Sequence, residues 1–119
     1  MESEKRLYPR LSRKLPIKIA DAGFADVIYT KDISPSGLYI ETTSVIPLMT
    51  RVNITLVLPF AEGGEKTERH VELNGTVVRS NLITREGGSF YETAIFFDDI
   101  SEKNKLLLTE FIENSPKEN

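Results

Sequence analysis

Two short groups of residues have the types and spacing that ligand chemistry needs. The first contains Arg6 and Arg10, which are four positions apart. A guanidinium presents a planar fork of donors that matches phosphate oxygens, and it can also stack on a base. Because Pro9 disfavours helical backbone at Tyr8, this segment is predicted to be irregular or extended.

The second group is the hexapeptide 32–37, which reads Asp-Ile-Ser-Pro-Ser-Gly. Aspartate and serine accept backbone N–H groups at turns, and glycine permits positive φ, so a well-made turn is one interpretation. The functional interpretation is more specific, since a carboxylate can accept the paired N1–H and N2–H donors of a guanine edge. With the arginine forks, this group favours a guanine-nucleotide site. No P-loop signature occurs in the sequence.

The elements that must position these groups are strands. Strands are predicted over residues 16–20, 27–34, 38–42, 52–58, 71–79 and 90–97. The clearest alternation points Val52, Ile54, Leu56 and Leu58 inward. Turns are predicted at the two Gly-Gly pairs, 63–64 and 87–88. Six short strands with turns between them indicate a small antiparallel barrel or sandwich.

The period changes near the C-terminus, where a helix is predicted. Ser101 can cap its N-terminus, and Glu102 is favourably placed in the first turn. An apolar stripe one helix face wide then follows at Leu107, Leu108, Phe111 and Ile112. The stripe favours a helix that covers the barrel, with a dimer contact as the alternative.

Composition restricts the classes of function. The chain has 119 residues, 39% hydrophobic and 28% charged, which indicates one soluble domain. No apolar run is long enough to span a membrane, and the charged N-terminus lacks a signal-peptide core, so we expect a cytoplasmic protein without membrane insertion. There is no cysteine and only one histidine, His70, which argues against most hydrolases and metalloenzymes.

The charge is unevenly distributed along the chain. Residues 1–18 carry six bases and two acids, a net charge of +4, whereas the remainder carries nine bases and sixteen acids, a net charge of −7. A basic arm on an acidic body indicates a localised anion site. The alternative is a solvated tail.

The two groups together resemble the PilZ domain family. Its pattern is Arg-x-x-x-Arg in a flexible N-terminal segment, followed by Asp/Asn-x-Ser-x-x-Gly at the start of a barrel strand. Arg6 and Arg10 match the first part, and Asp32, Ser34 and Gly37 match the second part. The resemblance covers roughly residues 4 to 113. The last strand departs from the family by carrying Ala94 where a glycine is usual.

The resemblance implies an all-β fold with a C-terminal helix, namely a six-stranded antiparallel β-barrel of PilZ type. Residues 1–14 would form a flexible basic arm, 15–113 the barrel with its helix, and 114–119 a disordered tail. The resemblance also implies a receptor for the bacterial second messenger cyclic di-GMP, with no catalytic residue, cofactor or metal. Binding would order the arm and act on an unidentified downstream protein.

The resemblance further implies roles for the matched residues. Arg6 and Arg10 would hold phosphates and stack on guanines, Asp32 and Ser34 would contact guanine, and Gly37 would shape the turn. Two neighbours of the first motif, Arg13 and Lys14, are candidates for additional phosphate contacts. Arg79, at the end of its predicted strand, faces either the site or solvent, and solvent is the favoured interpretation.

Three alternatives stay open. The first is a PilZ-like protein-interaction module that does not bind nucleotide. The second is a barrel that binds single-stranded nucleic acid, but such sites need aromatics in a basic groove, and these strands carry acids among their aromatics. The third is an enzyme, which is disfavoured because His70 has no obvious partner. We therefore expect no nucleic-acid partner, and either a monomer or a homodimer.

Overall fold

The described part of the chain consists of six strands and one helix. The structure is a computed structural model that describes residues 12, 14–20 and 28–114. The elements are β1 (Pro16–Ala20), β2 (Ile28–Ser34), β3 (Gly37–Thr42), β4 (Arg51–Glu62), β5 (Glu65–Arg85), β6 (Gly88–Asp99) and α1 (Glu102–Asn114). The six strands and the helix confirm the predicted fold class.

The strands form a closed antiparallel barrel in the order β1-β2-β3-β6-β5-β4. The ring closes because the short strand β1 pairs on one side with β2 and on the other with β4. Closure removes free edges within the barrel wall. It also places β3 and β6, which are distant in sequence, side by side.

The barrel interior is filled by the alternate residues of every strand. On β4 the inward residues Val52, Ile54, Leu56 and Leu58 are buried, as the alternation predicts. They join one continuous core with the inward residues of the other strands, among them Ile17, Ile33, Ile40, Val71 and Ile95. Because side chains alternate, each buried residue directs its neighbours along the strand outward.

Helix α1 covers part of the barrel, as the apolar stripe predicts. Its N-terminus is capped by Ser101, whose Oγ accepts the backbone N–H of Asn104 at 3.1 Å. Leu108, Phe111 and Ile112 are buried against the barrel core. The helix packs against β5, β4 and β2 and includes Asn114, the first residue of the expected tail.

The last three strands are longer than the sequence predicts. β5 was expected over 71–79 but runs from Glu65 to Arg85, and β4 and β6 are extended in the same way. The added lengths pair with each other as two-stranded ribbons beyond the barrel. Most of their residues are exposed, so the alternation of apolar and polar residues that marks a half-buried strand is missing there.

Candidate functional site

The matched residues of the second motif lie on the outer face of the barrel, which we define as the outward surface of β2, β3, β6 and β5. Asp32 pairs with Tyr39, Tyr39 with Ala94, and Ala94 with Arg79. These four residues form one row across four strands. A second row contains Ser34, Gly37, Phe96 and Thr76, in cross-strand register.

The β2–β3 turn fixes the position of Ser34. Pro35 and Ser36 form a two-residue connection between the paired Ser34 and Gly37. Ser34 Oγ lies 3.3 Å from the Ser36 backbone N, which donates to it, and 3.4 Å from the Gly37 carbonyl oxygen. The side chain of Ser34 is therefore buried and used by its own turn in this structure.

Gly37 corrects one detail of the sequence analysis. The turn interpretation relied on glycine's access to positive φ, but the described glycines with positive φ are Gly63, Gly64, Gly87 and Gly88. At Gly37 the requirement is close packing, because an added Cβ would lie 2.6 Å from the backbone oxygen of Ile95. Glycine is needed here because β6 approaches β3 too closely for a side chain.

The arm joins the barrel next to this face. Leu15 is buried, and its N–H donates to Thr30 Oγ1 at 2.9 Å while the Thr30 N–H donates to the Leu15 carbonyl at 3.0 Å. Thr30 is two positions before Asp32 on β2. The described chain therefore enters the barrel beside the strand that carries Asp32.

The proposed arm contacts fall mostly beyond the part of the chain that the structure covers. Arg6, Arg10 and Arg13 lie outside the described residues. Lys14 is described and exposed, directly before the anchored Leu15. Of the first motif and its neighbours, the structure therefore fixes only the point of attachment.

Arg79 lies on the outer face, and the expectation that it ends its strand is wrong. It stands inside β5, opposite Ala94, and its Nη1 lies 3.4 Å from Tyr39 Oη, to which it donates. Its side chain is exposed. It therefore presents a guanidinium in the same row as Asp32, at the far end.

Between these ends, the outer face presents small and aromatic groups. Ala94 is buried at the middle of its row, between Tyr39 and Arg79. In the neighbouring row Phe96 is 50% exposed, although Ile95 and Phe97 on either side of it are buried. An exposed ring on a rigid strand offers an apolar face for stacking a base.

The acids next to the two rows are paired with bases. Lys31 forms an ion pair with Glu92, and its pKa is raised, mainly by this hydrogen bond. Arg85 lies 3.5 Å from Glu41 and 4.4 Å from the centroid of the Phe90 ring. These pairs offset the charge of two carboxylates that would otherwise repel an anion bound on the rows.

A polar cleft elsewhere has a structural explanation. It has a volume of about 340 Å³ and lies between the N-terminus of α1 and the middle of β5. Asn74 Nδ2 donates to Asp99 Oδ2 at 3.3 Å, and Asn104 Nδ2 donates to the Glu72 carbonyl at 3.0 Å. These bonds attach the helix to the sheet. Within the described residues, no group of three or more histidines, cysteines or acids could hold a metal ion.

His70 is exposed on β5, where it pairs with Val57, in agreement with its interpretation as a solvated strand residue. In the described ranges there is no helix whose length and apolar character would suit a membrane span.

The residues that the motif search missed are Tyr39 and Phe96. Each was visible in the sequence as the outward neighbour of a buried apolar residue in an alternating strand. The sequence did not show which strands are adjacent in the barrel. The β3–β6 pairing brings Tyr39 and Phe96 beside Asp32 and Ser34.

Comparison with known proteins gives one family and one similar fold. The sequence profile of the PilZ domain matches residues 4–114. Among solved structures, the Bacillus subtilis inhibitor of motility, MotI/DgrA, superposes with a TM-score of 0.75 at 15% sequence identity. The alignment covers 91% of this chain and 49% of that protein, so this chain spans about half its length. No curated protein sequence matches at a significant level.

Proposed function

Because the chain belongs to the PilZ domain family, we propose that it is a receptor for cyclic di-GMP that acts through a partner protein. The observation that carries the proposal is the family match over residues 4–114, which includes both motifs. The outer face supports it, since Asp32 lies at the end of a row that also contains Tyr39 and Arg79. The expected role is signal reception without catalysis.

Each proposed contact residue binds the part of the ligand that suits its chemistry. Arg6 and Arg10 hold the phosphates and stack on the guanines, and Asp32 accepts the N1–H and N2–H donors of a guanine. Ser34 contacts the same base once its hydroxyl rotates away from the turn. Arg13 and Lys14 add phosphate contacts beside the first motif.

The rows suggest further contacts on the barrel side. Phe96 pairs with Gly37 in the row that also contains Ser34. Its ring is exposed there and can stack on a base. Arg79 presents a cation at the other end of the row that begins at Asp32. A ligand with two guanines and two phosphates therefore meets complementary groups across the whole outer face.

Signal transmission follows from the energetics of the arm. Ordering costs roughly 1–2 kcal/mol per residue in backbone entropy, whereas each charge-assisted hydrogen bond contributes roughly 1.5–3 kcal/mol. Several such bonds offset the ordering of a handful of residues, since micromolar affinity needs a net of only about 8 kcal/mol. The proposed response is that the ligand fixes the arm, from its attachment at Leu15, across the outer face. A partner that contacts the N-terminus would detect this change.

Calorimetric titration of the full chain with cyclic di-GMP tests the proposal. We expect Arg10→Ala to largely abolish binding, and Arg6→Ala to do the same, because each removes a phosphate fork. Arg69→Ala is the matched control, since Arg69 is an exposed arginine beside Phe60 on the β4–β5 ribbon, ten residues before Arg79 on β5. Wild-type affinity in both arm variants would remove the arm from the mechanism.

Ligand selectivity tests the role of Asp32 separately. We expect Asp32→Ala to weaken cyclic di-GMP more than cyclic di-AMP, because adenine lacks the N1–H and N2–H donor pair. Equal weakening of both nucleotides would contradict the guanine contact. The alternative, a PilZ-like interaction module without nucleotide binding, predicts no heat with either nucleotide.

A further inference from the structure

In the described part of the chain, the β5–β6 hairpin extends beyond the closed barrel with one strand edge unpaired. β4 begins at Arg51, opposite Thr76, so β4 does not accompany β5 beyond that residue. The loop before β4 adds two backbone hydrogen bonds, from Met49 N–H to the Val77 carbonyl at 2.7 Å and from the Val77 N–H to the Thr50 carbonyl at 2.9 Å. Among the described residues, 79–85 then pair with β6 alone. We call residues 79–85 the open edge.

The open edge has the properties of a strand that can accept another strand. Its seven residues extend over about 23 Å, and alternate residues direct their backbone N–H and C=O groups to the free side. It contains no proline and, beyond the irregularity between Val77 and Arg79, no bulge. Natural proteins protect such an edge with proline, bulges or charged side chains, and this edge carries charges only at its two ends.

Side chains on the two faces of the open edge differ in chemistry. On one face Leu82 is 62% exposed. Two further exposed apolar side chains lie beside the start of the edge. Val78 is 51% exposed at the irregularity in the pairing with β6, and Met49, whose N–H is bonded to the Val77 carbonyl, is 72% exposed. On the other face the edge begins and ends with Arg79 and Arg85. These are its only charges, on a chain whose residues beyond 18 are otherwise acidic overall.

The charges of the open edge favour one of two possible binding partners, a second copy of this chain or a segment of another protein. A second copy pairing antiparallel over the full open edge would place Arg79 opposite the Arg85 of the other copy, and like charges directly opposite each other are unfavourable. An extended segment with acidic side chains at those positions gains a favourable pair with Arg79 and shares Arg85 with Glu41, which lies 3.5 Å from it. The apolar face selects valine, isoleucine or leucine at the alternate positions of that segment.

We propose that the open edge is a docking site for an extended segment of a partner protein, in which acidic residues face Arg79 and Arg85 and apolar residues face Leu82. The segment adds a strand to β5 antiparallel, and its main chain supplies most of the hydrogen bonds. This inference does not rest on nucleotide binding. The open edge contains no residue of the two nucleotide motifs, although it shares Arg79 with the proposed nucleotide contacts.

A synthetic peptide tests the proposal on the full chain. The probe is a fluorescein-labelled, capped heptapeptide, Asp-Val-Val-Ile-Thr-Val-Glu, whose acids lie opposite Arg85 and Arg79 when it pairs antiparallel. We expect saturable binding by fluorescence anisotropy in the absence of cyclic di-GMP. Leu82→Lys should weaken binding at least about tenfold, because it places a charge in the apolar face. Leu106→Lys is the matched control, since Leu106 is an apolar residue 70% exposed on α1.

Charge reversal tests the orientation. Arg85→Glu should weaken the acidic peptide by about tenfold, and a peptide with lysine at the facing position should recover most of that loss. Two further peptides, N-methylated on alternate residues of opposite parity, test strand addition itself. Only one set of N–H groups faces β5, so one peptide should lose binding while the other binds like the parent.

Several outcomes overturn the proposal. They are no binding of the parent peptide, equal binding of the two N-methylated peptides, and equal effects of Leu82→Lys and Leu106→Lys. A wild-type dimer in sedimentation that Leu82→Lys dissociates would assign the open edge to a second copy instead. Failure of cyclic di-GMP to bind, with the peptide results as expected, would overturn the proposed function and leave this inference standing.

Discussion

The two long hairpins of this barrel have the same construction and opposite environments. Both extend β5, one with β4 and one with β6, and both turn through a Gly-Gly pair with positive φ. The β4–β5 hairpin is covered by α1, where Phe60 packs edge-on against Phe111 at a centroid distance of 5.7 Å. The β5–β6 hairpin has no comparable cover among the described residues, and Leu82 is exposed on it.

The difference shows what separates a structural hairpin from a hairpin available for binding. Hydrogen-bonded pairing holds both ribbons together, but in the described structure the first ribbon also packs an aromatic ring, Phe60, against the helix and the core. An apolar side chain on the second contributes little to folding, so its exposure costs little and leaves it available to a partner. The expected effects below test this division, beginning with the largest.

Truncating an aromatic under the covered hairpin should be the most damaging change. Phe111 is buried, so Phe111→Ala should lower the free energy of unfolding by about 3–5 kcal/mol. Leu82→Ala, on the open hairpin, should change it by no more than about 0.5 kcal/mol. Urea denaturation of both variants measures this, and comparable losses would mean that the two hairpins are equally part of the core.

Adding a methyl group to Gly75, at the junction of the two hairpins, should have the next largest effect on the free energy of unfolding. Gly75 lies where β5 passes from β4 to β6, and an added Cβ would lie 2.6 Å from Ile95 Cγ2 and 2.8 Å from the Phe96 backbone oxygen. Gly75→Ala should therefore cost about 1–3 kcal/mol through overpacking. Val78→Ala is the control on the same strand, and a harmless Gly75→Ala would show that β6 can shift away.

Two serines compare a hydroxyl that has a partner with one that has none. Ser101 caps the helix over the covered hairpin, so Ser101→Ala should lower the free energy of unfolding by about 1 kcal/mol. Ser80, on the open edge, has a buried Oγ without a hydrogen-bond partner among the described residues. Ser80→Ala should therefore be neutral or stabilising by up to about 1 kcal/mol. Thermal unfolding of both variants measures the contrast, and a loss in Ser80→Ala would reveal a partner for that hydroxyl.

The smallest effect should be a pH dependence. Hydrogen bonding to Glu92 raises the pKa of Lys31 in the folded protein, so the pair contributes stability below the unfolded lysine pKa. That contribution is lost as the pH rises through the folded pKa, in the range above about pH 10. Lys31→Gln should therefore reduce the stability difference between pH 8 and pH 11. An unchanged difference would mean that the exposed pair contributes nothing.

The sequence predicted the fold more completely than the candidate site. Alternation around Val52–Leu58 and the capped stripe after Ser101 fixed the interior and the helix, because burial imposes those periods. The ribbons beyond the barrel were missed because exposed residues such as Thr84 carry no periodic signal. The Asp32 motif and its turn could be identified directly from the sequence. The sequence could not show that Tyr39 and Arg79 lie on the same face as Asp32. Their adjacency depends on strand pairings between distant segments, which no local pattern encodes.

The central claim, that this chain is a cyclic di-GMP receptor, is tested most directly by a calorimetric titration of the wild-type protein with that nucleotide. The account predicts saturable heat with an affinity near the micromolar range, lost in Arg10→Ala and retained in Arg69→Ala. Absence of heat in the folded wild-type protein, or an equal response from the two arginine variants, would contradict it.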